Sequence, residues 1–216
     1  MPHFFVILPA AILLLVLLIL EKREQQKPRL ITKTILSCLF VLAASLQSSP
    51  VPSYGSWMIA GLLFCLAGDV CLALPGDRIF RAGLVAFLIG HILYVIGFTY
   101  LVPASAWARP EALLFWGFSL LVFLWLRPYL QAMRIPVVAY ILVITVMISG
   151  AWAVLAAPSI PFPGRMLIFL GAFFFYGSDI FVARNQFVRR EFSNRLIGLP
   201  LYYAGQFLLA FSISQV

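Results

Sequence analysis

The stretch FFVILPAAILLLVLLILEKREQQKPR, residues 4–29, contains an unbroken apolar run followed at once by a cluster of charges. A helix needs about 20 mostly apolar residues to cross the hydrocarbon core of a bilayer, and residues 4–20 come close to that length. The run lacks the basic leader and the small-residue cleavage site of a secretory signal. The stretch therefore predicts a retained first transmembrane helix that ends at a basic loop.

The same pattern continues along the chain. Pro, Gly and charged residues separate the apolar runs and mark the turns between them. Because these loops are short, neighbouring helices should pack antiparallel. The predicted fold is an all-α membrane protein, a bundle of about eight transmembrane helices joined by short loops, at residues 4–20, 30–49, 54–74, 79–101, 111–126, 136–156, 166–183 and 195–214.

Composition leads to the same class. Of the 216 residues, 63% are apolar and only 10% are charged, whereas soluble domains carry about 25% charged residues. No polar stretch approaches the roughly 50 residues of a small soluble domain. We therefore expect residues 1–216 to form a single integral membrane domain.

Charge and cysteine content exclude several other classes. The net charge of +8 comes from basic residues in short loops, where they act as topology signals rather than as a nucleic-acid surface. The three cysteines, Cys38, Cys65 and Cys71, lie inside apolar segments, where a thiol is usually a small apolar filler. We expect no disulfide, no metal site, no cofactor and no nucleic-acid partner.

The basic residues also predict the orientation of the bundle. Thirteen of the 15 Lys and Arg residues fall in or beside the loops after the first, third, fifth and seventh helices, and only Arg109 and Arg165 fall on the other side. Basic loops stay in the cytoplasm. Both termini are therefore expected to be extracytoplasmic, in the inner membrane of a bacterial cell or the endoplasmic reticulum of a eukaryotic one.

Four ionisable residues remain inside the predicted spans: Lys33, Asp69, His91 and Asp179. Charges are costly in hydrocarbon, so each is a candidate functional residue. Both aspartates lie roughly 7–9 Å inside the cytoplasmic boundary, at 1.5 Å per helical residue. Lys33 enters from the same side, and Tyr140 and Tyr202 begin their helices at a similar depth. The polar groups are predicted to converge on a cavity that faces the cytoplasm.

Structural roles explain the same residues without any chemistry. The aspartates can form a buried ion pair with Lys33 or Arg184. His91 can be a hydrogen-bonded core residue, and Lys33 can extend its ammonium to the membrane interface.

Four short segments, taken in order along the chain, resemble those of the YhhN family of membrane proteins, whose characterised animal members are lysoplasmalogenases. The segments are TKTILSCLF around Lys33, GDVCLALPGDRIFRAGLVAFLIGHILY at 68–94, YGSDIFVARNQF at 176–187 and LPLYYAGQ at 199–206. The matching positions are Gly68, Asp69, Gly83, Phe87, His91, Tyr94, Ser178, Asp179, Ala183, Asn185, Phe187, Pro200, Tyr202, Tyr203 and Gln206. Thr34 stands where the family usually has proline, and Gln186 where it often has a basic residue.

The resemblance implies hydrolysis of the vinyl ether bond of a lysoplasmalogen to a fatty aldehyde and glycerophosphoethanolamine or glycerophosphocholine. It implies acid/base catalysis by Asp69 and Asp179 with His91. The substrate would be a lysophospholipid drawn from the surrounding membrane lipids. The residues implied to bind it are Lys33 at the phosphate, Tyr94, Ser178, Asn185, Tyr203 and Gln206.

A small transporter or proton pathway is the alternative, because membrane-embedded Asp and His residues also serve proton relays. The sequence has no paired halves with broken helices, which are typical of alternating access. An enzyme forms product in detergent without a gradient, whereas a transporter moves its substrate unchanged.

The charge distribution gives a testable orientation. A tag placed after Val216 should be accessible from the extracytoplasmic side of sealed cells or vesicles, because the basic loops hold the opposite face in the cytoplasm. A tag in the loop at residues 22–29 is the matched control and should be accessible only after permeabilisation. Labelling of the tag after Val216 only in permeabilised cells would contradict the orientation.

Overall fold

The computed structural model describes residues 2–216, with side chains from Phe5 onward. Those residues form eight α-helices and no β-strand, as the apolar runs predict. Single turns of 3₁₀-helix lie at Ala104–Ala106, Arg127–Tyr129 and Gln131–Met133, and a π-helical turn lies at Arg184–Val188. The helices are α1 (Pro2–Lys22), α2 (Gln26–Ser45), α3 (Pro52–Ala73), α4 (Asp77–Thr99), α5 (Ala112–Leu126), α6 (Arg134–Leu155), α7 (Phe162–Ala183) and α8 (Phe192–Ser212).

Helix boundaries differ most from the prediction at α2. This helix begins at Gln26 and ends at Ser45, whereas the prediction was 30–49. Its first turn is polar and contains Pro28, which the first turn of a helix tolerates because the N–H there needs no intrahelical partner. Counting apolar residues finds the part of a helix that lies in hydrocarbon, and the helix continues beyond it into the polar boundary.

Seven helices of the described chain, α1 to α7, are long and apolar enough to cross a membrane. The eighth is long enough at 21 residues but more polar. Its polar side chains are buried inside the protein, among them Asn194, Tyr202, Tyr203, Gln206 and Ser212. The polar side chains of α8 are therefore shielded from lipid by the other helices. With seven apolar spans in the described chain, the protein is a multi-pass integral membrane protein.

Small residues set the closest helix crossings. On the α7–α8 pair, a Cβ atom added at Gly205 would lie 2.8 Å from the carbonyl oxygen of Gly171, and one added at Gly171 would lie 3.0 Å from the carbonyl oxygen of Gly205. The α3–α4 pair meets in the same way at Gly61 and Gly90. The α3–α4 and α7–α8 hairpins are therefore close-packed pairs, because small residues allow helix backbones to approach in a membrane.

Apolar side chains cover the outside of the bundle as well as its core. Leu113 and Leu114 on α5 are 70% and 74% exposed, whereas Phe40, Met58 and Phe175 are fully buried. The exposed side chains are those that hydrocarbon would solvate, so the polar residues of the spans are turned inward.

The Gly205 crossing predicts a loss of stability. Gly205→Ala should lower the thermal denaturation midpoint in detergent, because two backbone atoms of α7, the Gly171 carbonyl oxygen and the Phe175 nitrogen, block the new methyl group and such overpacking costs about 1–3 kcal/mol. Gly177→Ala is the matched control, since a Cβ atom there meets nothing within 4 Å. An equal denaturation midpoint for both variants would show that the close α7–α8 contact does not limit the stability of the protein.

Candidate active site

A cavity opens at one end of the bundle, where α2, α4, α6 and α8 begin and α3, α5 and α7 end. We call this end the basic end, because most Lys and Arg residues lie there. The cavity has a volume of about 110 Å³, which is room for several water molecules. Its wall is mostly apolar, and its polar lining residues are Lys33, Asp69, Ser119, Tyr140, Tyr176, Asp179, Asn194, Arg195 and Tyr202.

Asp69 lies one turn before the end of α3 and is 1% exposed. Its Oδ1 atom is 3.0 Å from the ammonium of Lys33, which is itself buried. Its Oδ2 atom accepts hydrogen bonds from the hydroxyls of Ser37 and Tyr202, each at 2.6 Å. Lys33 and Ser37 are one turn apart on α2, so one helix face supplies two of the three donors. Both carboxyl oxygens of Asp69 therefore have polar partners inside the protein.

Asp179 occupies the matching position on α7, one turn before Ala183. Its Oδ2 atom accepts a hydrogen bond from the Tyr140 hydroxyl at 2.7 Å and lies 3.9 Å from Nε2 of His91. Among the described side chains, no Lys or Arg approaches within 4.0 Å of this carboxyl. The two aspartates therefore line one cavity in different environments: Asp69 has a cation and two hydroxyls, and Asp179 has one hydroxyl and an imidazole.

His91 is fully buried behind Asp179. Its Nδ1 atom is 2.6 Å from the carbonyl oxygen of Phe87. A carbonyl only accepts, so Nδ1 carries a proton and Nε2 is the free acceptor of the neutral ring. The imidazole is held by Phe175 and Tyr140, whose ring centroids are 4.4 Å and 5.2 Å away. Nε2 has no hydrogen-bond partner among the described residues and is directed at Asp179.

The remaining candidate residues lie outside the cavity lining. The Tyr94 hydroxyl donates to Oε1 of Gln206 at 2.8 Å, deep in the core. The Tyr203 hydroxyl lies 3.3 Å from the Ser37 hydroxyl, behind Asp69. Ser178 donates to the backbone carbonyl of Phe175 at 2.7 Å.

Asn185 holds the loop after α7. Its Oδ1 atom accepts from the Glu191 backbone N–H and from the Asn194 amide, each at 3.3 Å. Arg184, considered above as a partner for an aspartate, donates instead to Asn194 and Glu191. The structure thus brings Lys33, Asp69 and Asp179 to the cavity wall, with His91 in contact with Asp179.

Sequence reasoning placed Tyr140 and Tyr202 at the right depth but did not assign them to the site, and it missed Ser37 and Arg195. Spacing contains a signal for two of these residues. Ser37 follows Lys33 by one helical turn, and Arg195 precedes Tyr202 by two turns, so each pair shares a helix face. The contact partners themselves depend on how α2, α3 and α8 pack, which one sequence does not encode locally.

Comparison with known proteins gives a consistent result. The YhhN family profile matches residues 28–213. The uncharacterized membrane protein YhhN of Escherichia coli O157:H7 is 30% identical over 184 residues, which are 82% of this chain and 84% of that protein. Lysoplasmalogenase TMEM86B of Mus musculus is 33% identical over 162 residues, 73% of this chain and 63% of the mouse protein.

A bacterial relative carries the same activity name. The lysoplasmalogenase of Mycobacterium tuberculosis is 26% identical over 177 residues, 78% of this chain and 63% of that protein. The chain therefore spans somewhat less than two thirds of these two relatives named for an activity. No solved structure matches the chain significantly.

The Lys33–Asp69 pair predicts a stability pattern. Lys33→Met should destabilise the protein by about 3–5 kcal/mol, because it leaves a buried carboxylate without its cation. The double variant Lys33→Met/Asp69→Asn removes both charges and should recover much of that loss, as measured by denaturation in detergent. Additive losses in the double variant would mean that the two side chains do not stabilise each other.

Proposed function

This chain belongs to the YhhN family, and on that premise we propose that it is a membrane-embedded lysoplasmalogenase, which hydrolyses the vinyl ether bond of alkenyl-glycerophosphoethanolamine or -choline. The relatives named lysoplasmalogenase, at 26–34% identity, support a hydrolase and imply a lysophospholipid substrate and membrane lipid partners. The observation that carries the proposal is a pair of aspartates in one membrane-embedded cavity, one with a cationic partner and one without.

The chemistry of a vinyl ether requires an acid and then a base. Protonation of the outer alkene carbon converts the C=C bond into a C–H bond and leaves an oxocarbenium ion. Water attacks the cationic carbon and gives up a proton, which forms a hemiacetal. The hemiacetal then breaks its C–O bond to give the aldehyde and the glycerol hydroxyl, so one water is consumed and the catalytic proton is returned.

We assign the acid to Asp179. A carboxyl donates a proton only if it is neutral in the resting site, and Asp179 lacks the neighbouring cation that would favour its charged form. The Tyr140 hydroxyl holds one carboxyl oxygen at 2.7 Å and so fixes the orientation of the group. A carboxylic acid kept neutral by its environment is a recurring form of general acid in enzymes.

We assign the charged partner to Asp69. Its carboxylate is fixed by Lys33, Ser37 and Tyr202 and lines the same cavity as Asp179. A preorganised negative group stabilises a developing cation at no cost of reorganisation. In this role Asp69 stabilises the oxocarbenium ion and orients the attacking water.

His91 completes the proton cycle. Its free Nε2 atom faces Asp179 at 3.9 Å, which is beyond direct hydrogen-bond reach, so a bridging water would carry the proton that the imidazole takes up and returns to Asp179. The ring is positioned by the Phe87 carbonyl and by two aromatic neighbours. We therefore expect His91 to assist turnover rather than to contact the alkene.

The apolar lining of the cavity suits the hydrocarbon chain of a lysolipid. Apolar side chains from α4 to α7 line most of its wall, among them Leu84, Phe87, Val122 and Ile144. Its charged lining residue Arg195 lies toward the basic end, where the head group would remain near water. If that end faces the cytoplasm, as the charge count predicts, the substrate is drawn from the inner leaflet.

Substrate choice tests the reaction. In detergent, the purified protein should release aldehyde from an alkenyl lysolipid, while the saturated alkyl lysolipid should bind and remain intact, because protonation needs the alkene. Aldehyde release is measured by coupled oxidation or mass spectrometry. Release of fatty acid from an ester lysolipid at a comparable rate would identify a lysophospholipase instead, and transport without product would favour the transporter.

The same assay tests the residues. Asp179→Asn should lower turnover by about 10²- to 10⁴-fold, the usual contribution of a general acid. Asp77→Asn is the matched control, because Asp77 is exposed at the start of α4 and does not line the cavity. Near-normal turnover of Asp179→Asn with a lowered denaturation midpoint would show that Asp179 is structural.

A further inference from the structure

Arg195 lies in the first turn of α8 and lines the mouth of the cavity. Its Nε atom is 3.8 Å from Glu21, a distance too long for a hydrogen bond. Among the described residues, none has an acceptor atom that receives a hydrogen bond from its guanidinium within 3.5 Å. Glu21 is also approached by Arg29 at 3.4 Å. Arg195 therefore lines the cavity with an ion pair to Glu21 at 3.8 Å but without a hydrogen-bond acceptor among the described residues, so its N–H groups are free to bind a ligand.

Three other cations at the basic end are already engaged. The Lys33 ammonium lies 3.0 Å from Asp69. Arg184 donates to Asn194 and to Glu191, and Arg189 pairs with Glu191 at 2.9 Å. Of the two cationic residues that line the cavity, Arg195 is thus the one whose charge is not matched inside it.

One face of α8 connects Arg195 to the proposed catalytic groups. Arg195, Gly198, Leu199 and Tyr202 follow the spacing i, i+3, i+4, i+7, and all four line the cavity. The rise from Arg195 to Tyr202 is roughly 10 Å at 1.5 Å per residue. The Tyr202 hydroxyl donates to the Asp69 carboxylate. The Arg195 guanidinium therefore lies at one end of this helix face, and the Asp69 carboxylate lies at the other end.

A lysolipid has the same arrangement of groups. Its phosphodiester lies on the third glycerol carbon and its ether on the first, so an extended glycerol backbone separates the two by a distance of the same order. A guanidinium has a planar fork of donors that matches phosphate oxygens, and charge-assisted bonds of this kind are among the stronger polar contacts.

We propose that Arg195 binds the phosphodiester of a single-chain glycerolipid and thereby sets the depth at which the chain enters the cavity. This inference rests on the proposed function for its substrate. It places the phosphate at Arg195 rather than at Lys33, since the Lys33 ammonium is engaged by Asp69. Asn194 supports this role indirectly, because its amide donates to the carbonyl of Arg189 at 2.8 Å and so fixes the turn before Arg195.

The test compares two vinyl ethers with the same alkenyl chain, a lysoplasmalogen and an alkenylglycerol that lacks the phosphate. Arg195→Gln should raise KM for the lysoplasmalogen by about 10- to 100-fold, the loss expected for charged hydrogen bonds, with kcat changed little. It should leave the kinetics of the alkenylglycerol unchanged. Arg195→Lys keeps the charge without the fork and should fall between wild type and Arg195→Gln.

Two control variants separate binding from structure. Arg190→Gln removes an exposed charge from the same loop and should not change KM, which excludes a general loss of surface charge. Glu21→Gln removes the acidic neighbour of Arg195. If Arg195 served only to tie α8 to α1 through Glu21, Glu21→Gln would reproduce the defect of Arg195→Gln, and the proposal would be overturned.

Binding measurements keep the inference testable even if no aldehyde forms. A saturated alkyl lysophospholipid should bind the wild-type protein more tightly than the matching alkylglycerol, and Arg195→Gln should abolish the difference. Equal affinities in the wild type would overturn the phosphate assignment, whereas a difference without aldehyde release would overturn only the proposed function. Inorganic phosphate should displace the lipid weakly; displacement as effective as by the lipid phosphodiester would mean a free-phosphate site.

Discussion

The contact between Lys33 and Asp69 joins the beginning of α2 to the end of α3, and the Tyr202 hydroxyl adds α8 to the same carboxylate. In hydrocarbon there is no water to solvate either charge, so each must find its partner within the protein. Replacing both partners of a buried ion pair by apolar residues often costs little stability, whereas removing only one partner is costly. The arrangement of three helices at the basic end therefore depends on a single carboxylate.

The two aspartates show how one depth in a bundle can hold two chemical environments. Asp69 is compensated by a cation and two hydroxyls, whereas Asp179 is compensated by Tyr140 and faces the imidazole of His91. The core of the bundle contains further polar pairs, such as Tyr94 with Gln206. Residues expected to bind substrate thus contribute to the scaffold that positions the cavity.

The fold could be predicted because hydrocarbon imposes its own length and polarity on each span. The same constraint identified Asp69, Asp179, Lys33 and His91, since a charge in a span is too costly to be incidental. Their partners could not be predicted in the same way. Whether a hydroxyl reaches a carboxylate depends on the rotation of one helix against another, and Arg195 was counted as a topology signal because loop position and cavity position are indistinguishable in one sequence.

The polarity of α8 bears on how the protein is made. A segment that carries Asn194, Tyr202, Tyr203 and Gln206 gains little by leaving the translocon for lipid alone. Its buried partners lie on α2, α3 and α4, which are synthesised earlier. We therefore expect lateral release of α8 to wait for those helices to be assembled, so that membrane integration of the last span and completion of the cavity are one biosynthetic event.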